Sequence, residues 1–184
     1  MSSSTVLILP GWLGSGPGHW QMRWAHRHGY KVVEQHDWQH PLRGDWQARL
    51  DEVVLDTPGG EKSILLAAHS LGCILVAAWA AVSRHTSRIR GALLVAPGDV
   101  ERADLPPALQ RWAPIPRQQL PFASVLVGSR NDPYCSADKA RTLAECWGSR
   151  WADLGEAGHI NAESGLGDWP EGRRWLLDLS GSQN

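Results

Sequence analysis

Three residues of the chain are of the types needed to move an acyl group onto and off a hydroxyl: Ser70 in "AAHSLGCIL", Asp132 in "VGSRNDPYCS" and His159 in "LGEAGHINAESG". An imidazole that takes the serine proton makes the hydroxyl a competent nucleophile. A carboxylate on the other ring nitrogen orients the imidazole and stabilises its cation. Ser70 ends one apolar run and opens another, with the small residues Ala68 and Gly72 two positions before and after it. A serine lifted on a tight strand-to-helix turn needs small neighbours there, because strand and helix approach closely. Alanine stands where glycine is usual in that pattern, so Ala68 predicts a slightly tighter turn. Taken singly, each residue has a plainer reading: Ser70 as the N-cap of an ordinary crossover helix, Asp132 as part of an Asn-Asp-Pro turn, His159 as a solvated loop residue. Their order along the chain, each just beyond a strand-like segment, favours the catalytic arrangement. Asp99 in "VAPGDV" also follows such a segment and is a second candidate for the acid.

A negative charge develops on the carbonyl oxygen during such a reaction, and two main-chain N–H groups aimed at it would stabilise it. Leu71, directly after the serine, offers one. Trp12, just past Gly11 in "LPGWLGSGPGHWQ", offers the other. The same glycine-rich stretch fails as a dinucleotide cradle because His19 stands where a further glycine is required, and no lysine follows to make a nucleotide P-loop. His19 and Trp20 start a helix beside this loop and are candidates for the substrate pocket, with simple helix packing as the alternative. His69 lies on the strand beside Ser70, and strand alternation points its side chain away from the serine's face, into packing. The remaining histidines form no HxH or HExxH pattern, so no metal and no other cofactor is expected.

The elements that must position these residues alternate. Strand-like apolar runs cover residues 5–9, 31–34, 63–68, 89–96, 124–128 and 150–154, and helix-length stretches cover 19–28, 44–56, 71–83, 136–147 and 170–179. Asp168 is placed to cap the last helix, with Pro170 in its first turn. "SILLAA" and "GALLVA" are nearly continuous apolar runs, as a parallel sheet covered on both faces requires. The expected fold is therefore a three-layer α/β domain over residues 1–184, with a mainly parallel sheet of about six strands. Ligands in such sheets bind beyond the carboxyl ends of the strands, which is where all the candidate residues lie. The one long irregular stretch, 97–122, carries six prolines and either roofs the site or runs over the surface.

Composition narrows the function further. A formal net charge of -1 leaves no excess with which to hold a nucleic-acid backbone or an anionic membrane, so the expected partner is a small, roughly neutral molecule, an ester or amide by the chemistry of Ser70, and the sequence names no protein partner. Three widely spaced cysteines fit neither a zinc site nor a disulfide framework, and reduced thiols in the cytoplasm are expected. The first residues, MSSSTVLILPG, lack a basic start and a long apolar run, so neither a signal peptide nor a membrane anchor is expected there. The eleven tryptophans, scattered among charged residues, read as helix-face anchors with one or two left to line a pocket.

"VLILPGW", "AHSLGC", "VGSRNDPYCS" and above all "GHINAESGLGDWPEG" resemble the small serine hydrolases of the retinoblastoma-binding protein 9 type, within the α/β-hydrolase superfamily. The resemblance runs from Val6 to about Leu179. It implies a compact α/β-hydrolase with little or no cap domain and a triad of Ser70, Asp132 and His159, acting on carboxylic esters or amides. Tyr134, Asn161, Ser164, Gly165 and Trp169 also match family positions, which makes Tyr134, Asn161 and Trp169 further pocket candidates. The partner in the family's name would call for an LxCxE string. Residues 71–75 read LGCIL and lack the acid, so that partner is not transferred. The competing class is a non-catalytic binding module on the same fold, which expects Ser70 and His159 to lie out of reach of each other.

Overall fold

The computed structural model describes residues 4–181. Six strands, β1 (Thr5–Leu9), β2 (Lys31–Val32), β3 (Ile64–His69), β4 (Ile89–Val95), β5 (Ala123–Gly128) and β6 (Arg150–Asp153), form one sheet in the order β2-β1-β3-β4-β5-β6. Every pairing is parallel. Alternation within the strands divides the core in two. Leu7, Leu9, Leu66, Ala68, Leu94 and Leu126 face one layer, formed by α2 (Arg43–Asp56), α3 (Leu71–Ala80) and α4 (Ala137–Trp147). Val6, Ile8, Leu65, Ala67, Leu93 and Val127 face the other, formed by α1 (Trp20–His28) and α5 (Pro170–Asp178). This is the three-layer α/β architecture with a parallel six-stranded sheet expected from the alternating runs.

The strand order reverses between β1 and β3, because the chain leaves β1 on one side of the sheet and returns on the other. The loops after these two strands therefore diverge, and the crevice between them is where a ligand can meet strand ends. Main-chain contact there is close. A side-chain carbon on Gly72 would come within 2.3 Å of the Leu9 carbonyl oxygen, so α3 can start over the end of β1 only with glycine at that position.

Six tryptophans, at 20, 24, 46, 79, 112 and 147, are fully buried, and their indole N–H groups fix the chain around the sheet. Trp112 donates to the Pro41 carbonyl (2.8 Å) and Trp147 to the Pro116 carbonyl (2.7 Å). Arg43 adds hydrogen bonds to the carbonyls of Trp112 and Pro114. The proline-rich stretch 97–122 is thus tied to the body of the protein at several points, with a short 3-10 helix at Pro107–Trp112. It stands as a wall beside the strand ends.

Two local expectations are corrected. Asp168 does not cap α5: the N-cap is Trp169, in the left-handed region at φ 39°, and it makes no side-chain cap. The Asp168 carboxylate pairs instead with Arg23 (2.7 Å) and Arg27 of α1, whose charges attract it more strongly than the end of a short helix. Helix α3 ends at Ala80 rather than at residue 83, because the Ser83 hydroxyl joins Trp79 and His85 on the Asp51 carboxylate.

Helix propensity alone favours alanine over Gly72 by about 1 kcal/mol. The carbonyl it would strike is main chain and cannot rotate away, so the clash prevails. Gly72→Ala is expected to destabilise the fold by about 1–3 kcal/mol. A urea midpoint equal to or above that of the wild type would refute this account of the packing.

Candidate active site

Ser70 sits between β3 and α3 at φ 54°, ψ -119°, a conformation disfavoured for a residue with a side chain. Its own N–H is anchored to the Val95 carbonyl of the neighbouring strand (3.0 Å). The hydroxyl makes no capping hydrogen bond to α3. It lies 3.0 Å from Nε2 of His159. Gly11 passes so near on the other side that a side-chain carbon there would be 2.8 Å from the Ser70 Cβ. Ala68, by contrast, is simply buried in the sheet between Leu9 and Leu94, with its methyl in the core.

His159 follows β6 on a glycine-containing loop, and its Nδ1 lies 2.9 and 3.0 Å from the two carboxylate oxygens of Asp132. The Asp132 side chain is only 3% exposed, and one of its oxygens also accepts from the Tyr134 N–H (2.9 Å). With a carboxylate at Nδ1, the network places the ring proton there and leaves the Nε2 lone pair toward the serine hydroxyl. Asp99, the other candidate acid, faces the Glu101 N–H (3.0 Å) and the Lys139 ammonium (3.5 Å). The structure brings Ser70, His159 and Asp132 together and gives Asp99 different partners.

The loop that carries His159 is itself held by polar side chains, two of which, Ser129 and Asn131, the sequence did not single out. Asn131 accepts from the Gly158 N–H (2.7 Å), and Ser129 accepts from that of Ala157 (2.9 Å). Ser164 donates to the Ala157 carbonyl (2.6 Å), and His69 Nε2 lies 2.8 Å from the His159 carbonyl. Gln21, fully buried, donates to the carbonyls of Leu9 and Ala67 at the ends of β1 and β3. Asn131 could have been suspected from its place beside Asp132. Gln21 carries no sequence signal at all.

His69 points to the α1 side of the sheet, as strand alternation implies, and still reaches the site. It does pack, yet its ring stands between those of His19 (4.7 Å) and His159 (4.8 Å) and lines the same cavity as Ser70. Alternation puts His69 on the same face as Leu65 and Ala67, toward α1, and the cavity over Ser70 reaches that face beyond the end of β3. Burial holds His69 well below the ordinary histidine range, and it stays neutral. Burial, with a smaller push from His159, lowers His19 to about 4.

A cavity of about 610 Å³ opens over Ser70 and is lined in part by His19, Tyr134 and Asn161, with Trp12 and Leu71 at the positions expected to supply the two amides. As the first residue of α3, Leu71 has an N–H with no intrahelical acceptor. Trp20 and Trp169, the other pocket candidates, do not line it. Both are buried in the core layer beneath, edge to face with each other at 5.2 Å, because their large apolar rings gain more from that packing than from the cavity wall. Among the described residues there is no group of three or more histidines, cysteines or carboxylates that could hold a metal, and no helix is long and apolar enough to cross a membrane.

The family model described as serine hydrolase matches residues 6–178. The chain belongs to the serine hydrolase family. Solved structures similar to this serine hydrolase include a YdeN-like hydrolase from Pectobacterium atrosepticum, 28% identical, with a TM-score of 0.84 over 97% of this chain and 91% of that one. The ydeN gene product of Bacillus subtilis is 18% identical, with a TM-score of 0.76 over 98% and 100% of the two chains. An esterase from Rhodococcus shares the fold at 14% identity, with a TM-score of 0.68 over 96% and 91%. No curated protein sequence matches this serine hydrolase.

The two suppressed histidines set an acid limit on the fold. An unfolded chain takes up a proton on His19 near pH 6.5, whereas the folded one does so only near 4. Stability is full above pH 6.5 and is lost as pH falls toward 4, by up to roughly 3 kcal/mol from His19, with His69 acting in the same direction. His19→Asn removes this titration while keeping a side chain able to cap α1, as His19 Nδ1 does for the Gln21 N–H. Urea denaturation between pH 7 and 4 should show a shallower decline for His19→Asn than for the wild type, and parallel curves would refute the assignment.

Proposed function

We propose that this serine hydrolase is a cofactor-free carboxylic-ester hydrolase that also accepts small amides, with Ser70 as nucleophile, His159 as general base and acid, and Asp132 as the group that holds the imidazole. The observation that carries this reading is the continuous line of hydrogen-bond contacts from Asp132 to His159 Nδ1 (2.9 Å) and from His159 Nε2 to the Ser70 hydroxyl (3.0 Å). The non-catalytic alternative expects those groups to be apart. "GHINAESGLGDWPEG" supports a closer affinity to the retinoblastoma-binding protein 9 type, and the three free thiols Cys73, Cys135 and Cys146 agree with a cytoplasmic setting.

Ser70 Oγ attacks the carbonyl carbon as its proton passes to His159 Nε2. The carbonyl oxygen becomes an oxyanion facing the main-chain N–H groups of Trp12 and Leu71. When the tetrahedral intermediate collapses, the bond to the leaving alcohol or amine breaks and His159 returns the proton to it, leaving an acyl-serine. Water then repeats the sequence through the same imidazole, releasing the acid and restoring the Ser70 hydroxyl.

Ser70→Ala is expected to lower kcat by roughly 10⁴- to 10⁶-fold without unfolding the protein. A fluorophosphonate probe should label the wild type and not this variant; equal labelling of the two, or none of either, would sink the proposal. Asp132→Asn should cost roughly 10⁴-fold. Asp99→Asn should keep measurable turnover, and the reverse ranking of these two in folded protein would reassign the acid.

A further inference from the structure

Beside the cavity over Ser70 lies a second, open groove of about 710 Å³. The two share Trp12, Leu13 and Pro106, and the groove continues along Leu42, Pro107 and Ala108. Its walls are joined to each other. Trp12 Nε1 donates to the Gln39 carbonyl and the Leu13 N–H to that of Trp38, while Trp112 and Arg43 tie the opposite wall to the Pro41–Arg43 segment.

Two leucines in this groove stand where local physical chemistry disfavours leucine. Leu13 is in the left-handed region at φ 65° and is 60% exposed. Leu42 occupies the N-cap of α2, where a small polar side chain is preferred, makes no capping hydrogen bond and is 47% exposed. Each position forgoes stability and exposes apolar surface, and both line the same groove. Broken local rules of this kind collect where a site needs the side chain for something else.

Resting on the catalytic reading above, we propose that the groove binds the acyl chain of the substrate and that the natural ester carries an extended apolar acyl group. Proton transfer decides which arm goes where. The leaving alcohol must lie against His159 Nε2 to receive its proton, so it occupies the part of the cavity formed by Tyr134, Asn161 and Glu163. None of these residues, nor His159, reaches the groove. The acyl arm, on the other side of the carbonyl carbon, crosses the Trp12–Leu13 edge into the groove and covers Leu13 and Leu42.

The test varies the acyl chain of p-nitrophenyl esters, from acetate through butyrate to octanoate, with the leaving group held constant. In the wild type, kcat/KM should rise by roughly fourfold for each methylene that enters the groove. Leu42→Asp places a carboxylate in the path of the chain while supplying a favoured N-cap, so the variant should fold, with a melting temperature at or above that of the wild type. Its octanoate-to-acetate ratio of kcat/KM should fall at least about tenfold through KM, since several buried methylenes are at stake. Leu13→Asn, tolerated at positive φ, should lower the ratio in the same direction. A ratio unchanged in both variants, or a preference that follows the alcohol chain of acetate esters, would overturn the groove assignment while leaving the catalytic reading intact. Absence of turnover of every ester by the wild type would overturn both.

Discussion

Ser70 holds a backbone conformation that costs a residue with a side chain on the order of 1–3 kcal/mol, and it cannot relax without moving the elements on either side of it. On one side is β3, buried along its whole length between β1 and β4. On the other is α3, buried at every residue from Leu71 to Trp79. The apolar area withdrawn from water along these two elements outweighs the local strain by a wide margin. Gly11 and Gly72 are consequences of the same turn, since both must let main chain or the serine itself come closer than any side chain would allow. The position of the hydroxyl is therefore set by the core, and a defect in the packing of α3 would reach Ser70 directly.

The groups that meet Ser70 are positioned by a different kind of interaction. His159 lies on a loop, and loops have no core of their own. Here hydrogen bonds to main-chain groups do the positioning, from Ser129, Asn131, Ser164 and His69. Those from the buried side chains of Ser129 and His69 are the costly ones to break, because neither group can turn to water instead. The indole N–H groups of Trp112 and Trp147 perform the same service for the proline-rich wall opposite. The tryptophans thus act twice, filling the core with their rings and pinning loops with their polar edges. That second use explains how a chain with so many prolines between β4 and β5 still forms a preorganised cavity.

Histidine chemistry follows from the same burial. Three imidazoles lie side by side, and His19 and His69 are kept neutral because charging either would strand a cation away from water beside the third. The carboxylate of Asp132 faces His159 alone of the three, so the residue set apart by its partner is the one in contact with the serine hydroxyl.

Much of this was legible in the chain itself. The alternating apolar runs determined a parallel sheet with helices on both faces, since a run without polar alternation cannot face water on either side. The order and strand-end placement of Ser70, Asp132 and His159 made them candidates. Boundaries and partners were not legible. Asp168 looked like a helix cap and is bound by arginines of a helix more than a hundred residues earlier; Trp20 and Trp169 looked like pocket walls and meet edge to face in the core. His69 seemed directed away from the site, yet its ring lies between those of His19 and His159. For Asp168 and the two tryptophans the competing partner is remote in sequence, and its energy exceeds the local preference that a sequence window can sense. Local pattern determined which elements form and which residues stand at their ends. Tertiary structure alone decided which of those residues touch, because touching depends on how the layers pack.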